Sequence, residues 1–409
     1  MRDEWRTFAL GDISTVVTSG SRGWAEYYSA TGCAFVRMGN IRRSSIELDI
    51  SDLKFVKLPK ESSEGTRTQL QSGDILISIT AELGKVAYVR ALPTPQSYIS
   101  QHVCLVRIEH EQAVPDYVAY LLSSEPERQR LNRLNDAGAK AGLNLQTISR
   151  FGITVPPLLE QRKIADVLRT WDVAIEKLEA LRETNLQRRI WLRSHLFTGR
   201  TRLPGYTGEW REVTLGTVLT DHGLQGTGAE EVFSVSVHKG LINQIEHLGR
   251  SFAAAETGHY NRVLPGDIVY TKSPTGDFPL GIIKQSKISQ EVIVSPLYGV
   301  FTPTTRALGV ILDALFESPI AVRNYLHPLV QKGAKNTIAI TNRRFLEGKL
   351  ILPMDPAEQS AIAAVVEVSQ AELTAIEAEI EALTRQKRGL MQKLLTGEWR
   401  VNLDGDAHG

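Results

Sequence analysis

Two stretches of the chain repeat one alternation of apolar positions. The first frame to stand out reads Ile362, Val366, Ser369, Leu373, Ile376, Ile380, Leu383, Lys387, Leu390 and Leu394. Steps of four and three residues put all ten on one seam of a helix, the spacing by which helices pack lengthwise. Shifted back by 198 residues, the frame reads Ile164, Leu168, Trp171, Ile175, Leu178, Arg182, Asn185, Arg189, Leu192 and Leu196. Its first half is clean. Three polar residues interrupt the second half, with Leu181, Leu186 and Ile190 displaced to neighbouring positions. Residues 158–197 hold neither Gly nor Pro; residues 357–395 hold one Gly and no Pro. Both stretches follow prolines (Pro156 and Pro157; Pro353 and Pro356), which a helix tolerates at its start but not inside. Both carry Glu-Gln in the first turn (Glu160-Gln161; Glu358-Gln359) and close on Thr-Gly (Thr198-Gly199; Thr396-Gly397). Gly is favoured just past a helix end. Two helices of roughly 60 Å are predicted, at about 1.5 Å per residue.

The rest of the chain repeats too. Glu4-Trp5-Arg6 with Leu10-Gly11 recurs as Glu209-Trp210-Arg211 with Leu215-Gly216. The run Ser72-Gly73-Asp74-Ile75 recurs as Pro265-Gly266-Asp267-Ile268, and Gly138-Ala139-Lys140 as Gly333-Ala334-Lys335. Four anchors in one order mark a duplicated unit, a globular part followed by a long helix. Within each globular part, residues 74–79, 103–108, 267–271 and 280–284 are short, β-branched and strand-like. Residues 114–134 and 307–330 read as helical, broken at Pro126 and Pro319. A curved, partly barrel-like α+β fold is expected for each. The expected boundaries are 1–155 and 201–352 for the globular domains, 156–200 and 353–399 for the helices, and 400–409 for a tail.

Charge predicts how the helices pair. From 182 to 202 there are six Arg and one acid, Glu183; from 358 to 381 there are six Glu and no Lys or Arg. Antiparallel pairing lays the basic end of one helix on the acidic start of the other. Exposed pairs contribute only about 0–1 kcal/mol each, but their signs can choose orientation. A monomer with an internal pseudo-twofold repeat follows. The alternative is a coiled coil that joins two chains.

Composition narrows the class. At 409 residues the chain is too long for one ordinary core. No apolar run reaches the ~18 residues of a membrane span, and the charged start lacks a signal-peptide core. Two cysteines, Cys33 and Cys104, are too few for a disulfide framework and fit reduced thiols, so a cytoplasmic location is expected. No phosphate-binding glycine loop, metal-ligand spacing or catalytic motif is present. Polar, basic loops do recur at matching places: Arg37 to Arg43 and Ser236 to Gly240; Thr80 to Lys85 and Thr271 to Asp277; Ala139 to Asn144 and Ala334 to Thr337. Arg and Lys suit phosphates and guanine edges, and Asn suits adenine.

The run Val155-Pro156-Pro157-Leu158-Leu159-Glu160-Gln161-Arg162-Lys163-Ile164-Ala165 resembles the start of the spacer helices in specificity subunits of type I restriction–modification enzymes. The close His195-Leu196-Phe197-Thr198-Gly199-Arg200 and the restart Gly208-Glu209-Trp210 are similar as well. The second copy, Pro353 to Ala363, is degenerate, with Pro353-Met354-Asp355-Pro356 for the double proline. The resemblance implies two target-recognition domains that each read half of a split DNA sequence, with two antiparallel coiled-coil helices fixing the gap. It implies a chain without catalytic residues or a cofactor of its own. S-adenosylmethionine, ATP and Mg are expected on partners: two adenine-N6 methyltransferase subunits and two restriction/translocase subunits. Candidate DNA contacts are Arg22, Arg37, Asn40, Arg42, Arg43, Thr80, Lys85, Lys140 and Asn144 in the first domain. In the second they are His238, Lys239, Lys272, Ser273, Thr275, Lys335, Asn336, Asn342 and Arg343. Candidate partner contacts are Gln161, Trp171, Arg182, Asn185, Arg189 and Gln359. The competing expectation is a coiled-coil scaffold whose globular parts bind protein rather than DNA.

Overall fold

The computed structural model describes residues 4–58, 64–134, 142–245, 257–332 and 338–402. The chain divides into two units: residues 1–179 with 379–409, and residues 180–378. The two long helices are Leu158–His195 and Pro356–Leu395. Each contributes one half to either unit. Each is closed by a glycine with positive φ, Gly199 at 68° and Gly397 at 70°. The anchor glycines before Lys140 and Lys335 lie outside the described residues.

In the first unit the strands Ser14–Ser19, Val103–Ile108, Ile75–Ser78 and Val86–Tyr88 form an antiparallel sheet in that order. Ile75 to Ser78 is buried throughout, as its unbroken apolar run requires. A second sheet joins Tyr28–Ser29, Lys54–Val56, Cys33–Val36 and Ser97–Ile99, the last pair parallel. The helical stretch breaks at Ser124, giving Pro115–Ser123 and Glu125–Arg133. Pro126 falls in the first turn of the second helix, where its missing N–H costs nothing. One core joins Ile77, Val106, Tyr117 and Leu121 to Ile164, Leu168, Leu394 and Leu395 of the long helices. The helices are thus part of the domain's core.

The second unit repeats the plan with Leu219–Thr220, Gly299–Pro303, Ile268–Tyr270 and Ile283–Gln285. The last strand starts later than its sequence suggests. Gly281, at φ 105°, lies so close to Tyr270 and the Lys272 backbone that a Cβ would meet them at 2.8–3.1 Å, so the chain turns there. Helices Arg306–Leu315 and Pro319–Leu326 follow. Phe345 stacks on Tyr270 and on Phe301, with ring centroids 4.9 and 4.8 Å apart. Leu196, Phe197 and Ile362 of the long helices pack on Ile311 and Ala314.

The Glu-Gln pair at each helix start explains the architecture. In the first unit Glu160, fully buried, takes a bidentate pair of hydrogen bonds from Arg400. Gln161 accepts from Val114 N at 2.8 Å and donates to Pro156 O at 2.7 Å. In the second unit Glu358 takes the same bonds from Arg202, at 2.6 and 2.7 Å, and a third from Trp210 Nε1 at 3.2 Å. Gln359 accepts from Thr305 Oγ1 at 2.7 Å and donates to Pro353 O at 2.8 Å. Each carboxylate therefore binds the arginine just beyond the end of the opposite helix.

The helices run antiparallel within each unit. The first holds Glu160–Arg400 and Asp172–Lys387; the second holds Arg182–Glu377, Arg188–Glu372 and Arg202–Glu358. Residue numbers rise on one helix as they fall on the other, as the charge pattern predicts, and the pairing lies within one chain. Of the twenty seam positions only Arg182 is exposed. Among the described residues, no helix is long and apolar enough to cross a membrane.

The seam's buried ion pair is the sharpest stability test. Asp172 and Lys387 side chains are 8% and 7% exposed, and Asp172 also accepts from Tyr120 Oη at 2.6 Å. Asp172→Ala strands a buried ammonium and is expected to cost about 3–5 kcal/mol in urea unfolding. Asp172→Leu with Lys387→Met, which removes both charges, is expected to cost far less than the single change.

Candidate nucleic-acid interface

In the first domain the basic loop after Val36 is tied down by its own acids. Arg37 Nη2 donates to Asp52 O and Oδ2, both at 3.0 Å. Asn40 is 2% exposed; it accepts from Arg37 N at 2.9 Å and donates to Asp49 O at 2.9 Å. Arg42 Nε binds Asp49 Oδ2 at 2.9 Å, a bond that holds the Asp49 carboxyl well below the usual carboxylate range. Arg22 and Arg43 are exposed. Thr80 Oγ1 bonds His102 Nδ1 at 2.9 Å, and Lys85 pairs with Glu82 at 2.7 Å. Asn144 caps the helix Leu145–Ser149 by accepting from Thr147 N at 2.8 Å. Lys140 lies outside the described residues, as do Lys335 and Asn336 of the second domain.

The second domain brings three loops together. Lys272 Nζ donates to Asn342 Oδ1 at 2.6 Å, and Asn342 Nδ2 donates to Asp221 Oδ2 at 2.9 Å. Burial lowers the Lys272 pKa, opposed by the Asp221 charge. Beside this chain lies a concavity of about 640 Å³ lined by Thr214, Asp221, Arg343 and Glu347. The Arg343 side chain is 91% exposed, held loosely by Glu347 at 3.4 Å. His238 and Lys239 form the exposed turn between Phe233–Ser236 and Gly240–Asn243. Ser273 and Thr275 are exposed in the turn after Lys272.

One backbone feature is shared by the two loops. Ala81 and Lys272, each following the threonine at the end of the Gly-Asp strand, have φ of 55° and 58°. Such a conformation costs a side-chain-bearing residue roughly 1–2 kcal/mol, and strain of this kind gathers at functional loops. Beneath it the Gly-Asp turns are built alike and neutralised differently. Asp74 pairs with Arg107 at 2.7 Å; Asp267 accepts from Thr302 Oγ1 at 2.7 Å and bonds His222 Nε2 at 3.0 Å.

The expected partner contacts divide. Gln161 and Gln359 are 1% and 4% exposed, with their amides committed inside the fold, so no surface remains for a partner. Asn185 is 7% exposed and donates to Leu181 O at 3.0 Å. Arg189 binds both Glu317 oxygens, at 2.8 and 2.9 Å. Arg182 pairs with Glu377 at 2.8 Å, and Trp171 is half-buried in the seam. Sequence reasoning missed Asp221, whose hydrogen-bond partner Asn342 is 121 residues away. It also missed Arg202 and Arg400, which carried a usable signal: they stand 198 residues apart, as do Glu160 and Glu358.

The model of the type I restriction modification DNA specificity domain family matches residues 2–185. A chain of Methanocaldococcus jannaschii designated the MjaX type I restriction enzyme specificity subunit is 24% identical over 418 residues, covering 98% of this chain and 94% of that one. The crystal structure of the type I restriction–modification S subunit from M. genitalium aligns with a TM-score of 0.61 at 14% identity, over 95% of this chain and 96% of that one. A chain from a structure of complex assembly and conformational transition in the type I R-M system gives 0.53 at 16%, over 97% and 99%. Those two likenesses show the fold: two α+β domains joined by two long helices. The family model covers the first domain and the start of the first long helix, and along nearly its whole length the chain is similar to a specificity subunit of a type I restriction enzyme.

Proposed function

We propose that each globular domain reads one half of a split DNA sequence, that the long helices set the gap, and that the chain delivers methyltransferase subunits to that site. The observation that carries this is one scaffold with two chemistries. The Glu-Gln latches are the same in both units. The loops above them differ: an Arg37–Asn40–Arg42 cluster in one domain, and an Asp221–Lys272–Asn342 chain with Arg343 in the other. A common frame with divergent loops suits two different half-sites. Adenine methylation would come from two methyltransferase subunits carrying S-adenosylmethionine. Cleavage would come from two ATP- and Mg-dependent restriction/translocase subunits.

The exposed groups, Arg22, Arg43, His238, Lys239, Ser273, Thr275 and Arg343, are the ones free to reach DNA in this reading. The buried or internally bonded ones, Asn40 above all, shape the loops that present them.

Replacing residues 201–352 with the matching domain of another specificity subunit is expected to change one half of the methylated sequence and leave the other. Single-molecule sequencing of methylated adenines reads this, and a change in both halves would contradict modular reading. Arg343→Ala is expected to weaken DNA binding by the complex and lower the slope of log affinity against log salt by about one, without moving the thermal midpoint. Asn40→Ala is expected to cost about 1–3 kcal/mol of stability, since it leaves buried backbone groups unpaired.

A further inference from the structure

Three equivalent positions carry apolar side chains in the first domain and polar ones in the second. Ile75 pairs with Val106 and Ile268 with Phe301, so the next residues, Arg107 and Thr302, correspond. Arg107 pairs with Val16 and Thr302 with Thr220, which sets Val17 against Asp221. Ala81 and Lys272 are the left-handed residues that follow the two Gly-Asp strands. Asn144 and Thr341 cap their helices alike, each accepting from the backbone N–H three residues on, so Leu145 corresponds to Asn342. Val17 and Leu145 pack on the core of the first domain. Asp221, Lys272 and Asn342 form the hydrogen-bonded chain of the second. The sheet makes room for that chain. Gly299 lies opposite Tyr270 as Cys104 lies opposite Ile77, and a Cβ on Gly299 would meet Asn342 Oδ1 at 3.0 Å.

The first domain builds the same frame without such a chain, so the frame does not require it. The chain's chemistry runs one way. Lys272 can only donate and a carboxylate can only accept, so the Asn342 amide between them has a single orientation. The amide in turn fixes the Asp221 carboxylate. Asp221 is exposed at the concavity it shares with Thr214, Arg343 and Glu347. Beyond the bond from Asn342, its side chain makes no hydrogen bond or ion pair among the described residues. A free carboxylate on a DNA-facing surface is repelled by phosphates, so it needs a donor to meet. On the major-groove edge the donors are the exocyclic amines, N6 of adenine and N4 of cytosine. Guanine and thymine present the oxygens O6 and O4 instead.

We propose that Asp221 is a specificity-determining residue of the second domain: its carboxylate accepts from the exocyclic amine of one base, adenine or cytosine, on the major-groove edge and rejects guanine and thymine at that place. Asn342 and Lys272 are positioning residues that hold the carboxylate to the base. Exposed Arg343, beside them, takes a neighbouring phosphate. This rests on the half-site reading above and names one of its base contacts. The first domain, with Val17, Ala81 and Leu145 in these positions, has no side-chain acceptor there.

Sequencing methylated adenines in cells whose complex carries Asp221→Asn tests this. The change keeps the shape and turns an acceptor-only group into one that can accept or donate. In the half-sequence read by residues 201–352, one position that is A or C on one strand is expected to admit G or T. Discrimination there is expected to fall from roughly tenfold or more to less than about threefold, with the other half and the gap unchanged. The wild-type base at that position tells which amine is read. Asp221→Val with Lys272→Ala and Asn342→Leu, the set of the first domain, is expected to stay folded and to lose the same discrimination. Unfolding of that set would overturn the premise that the frame does not need the chain. An unchanged sequence in either folded variant, even with weaker methylation, would make the chain structural and overturn the assignment, as would relaxation in the other half. The domain exchange separates the two readings. If it alters one half while the Asp221 variants alter nothing, only the role of Asp221 falls; if it alters neither half or both, the half-site reading falls with it.

Discussion

Two buried carboxylates, Glu160 and Glu358, constrain everything else. An ionised carboxylate taken fully out of water costs several kcal/mol unless it is paired and hydrogen-bonded. Each has one cation that can do this, Arg400 for Glu160 and Arg202 for Glu358, and each arginine lies just past the end of the opposite helix. The helices must therefore run antiparallel, start against finish. The neighbouring glutamines fasten each start to its domain through Val114 and Thr305. Orientation, register and domain placement on the helix all follow from one dipeptide used twice.

Along the seam the same logic allows difference. Asp172–Lys387 in the first unit maps onto Gln370–Arg189 in the second. Where the second helix gives Gln370 in place of an aspartate, the charge on Arg189 is answered by Glu317 from the domain instead. Each unit thus answers the cation in its seam by a different route. Duplication has preserved the latches and let the loops diverge.

Much of this is legible in the sequence, and the parts that are not have a common cause. Heptad spacing, the flanking prolines and the closing glycines give the helices to within a few residues, because those signals are local. The antiparallel sense is legible from the Arg-rich and Glu-rich halves. Single-residue roles are less so. Gln161 and Gln359 read as polar residues on a helix and turn out buried, because their partners Val114 and Thr305 are about 50 residues away. Asn40 reads as a base contact and is instead the brace of its loop. Asp221 carries no sequence mark at all; only the fold brings it to Asn342.

In the proposed function the helix pair, held by these latches, sets the distance between two independently read half-sites. Inserting one heptad into each helix, after residues 179 and 378, keeps the seam and the latches and adds about 10 Å at 1.5 Å per residue. Sequencing the methylated adenines of cells carrying that chain measures the result. The same two half-sequences are expected, with the gap longer by about three base pairs, at roughly 3.4 Å each. An unchanged gap, or new half-sequences, would contradict it.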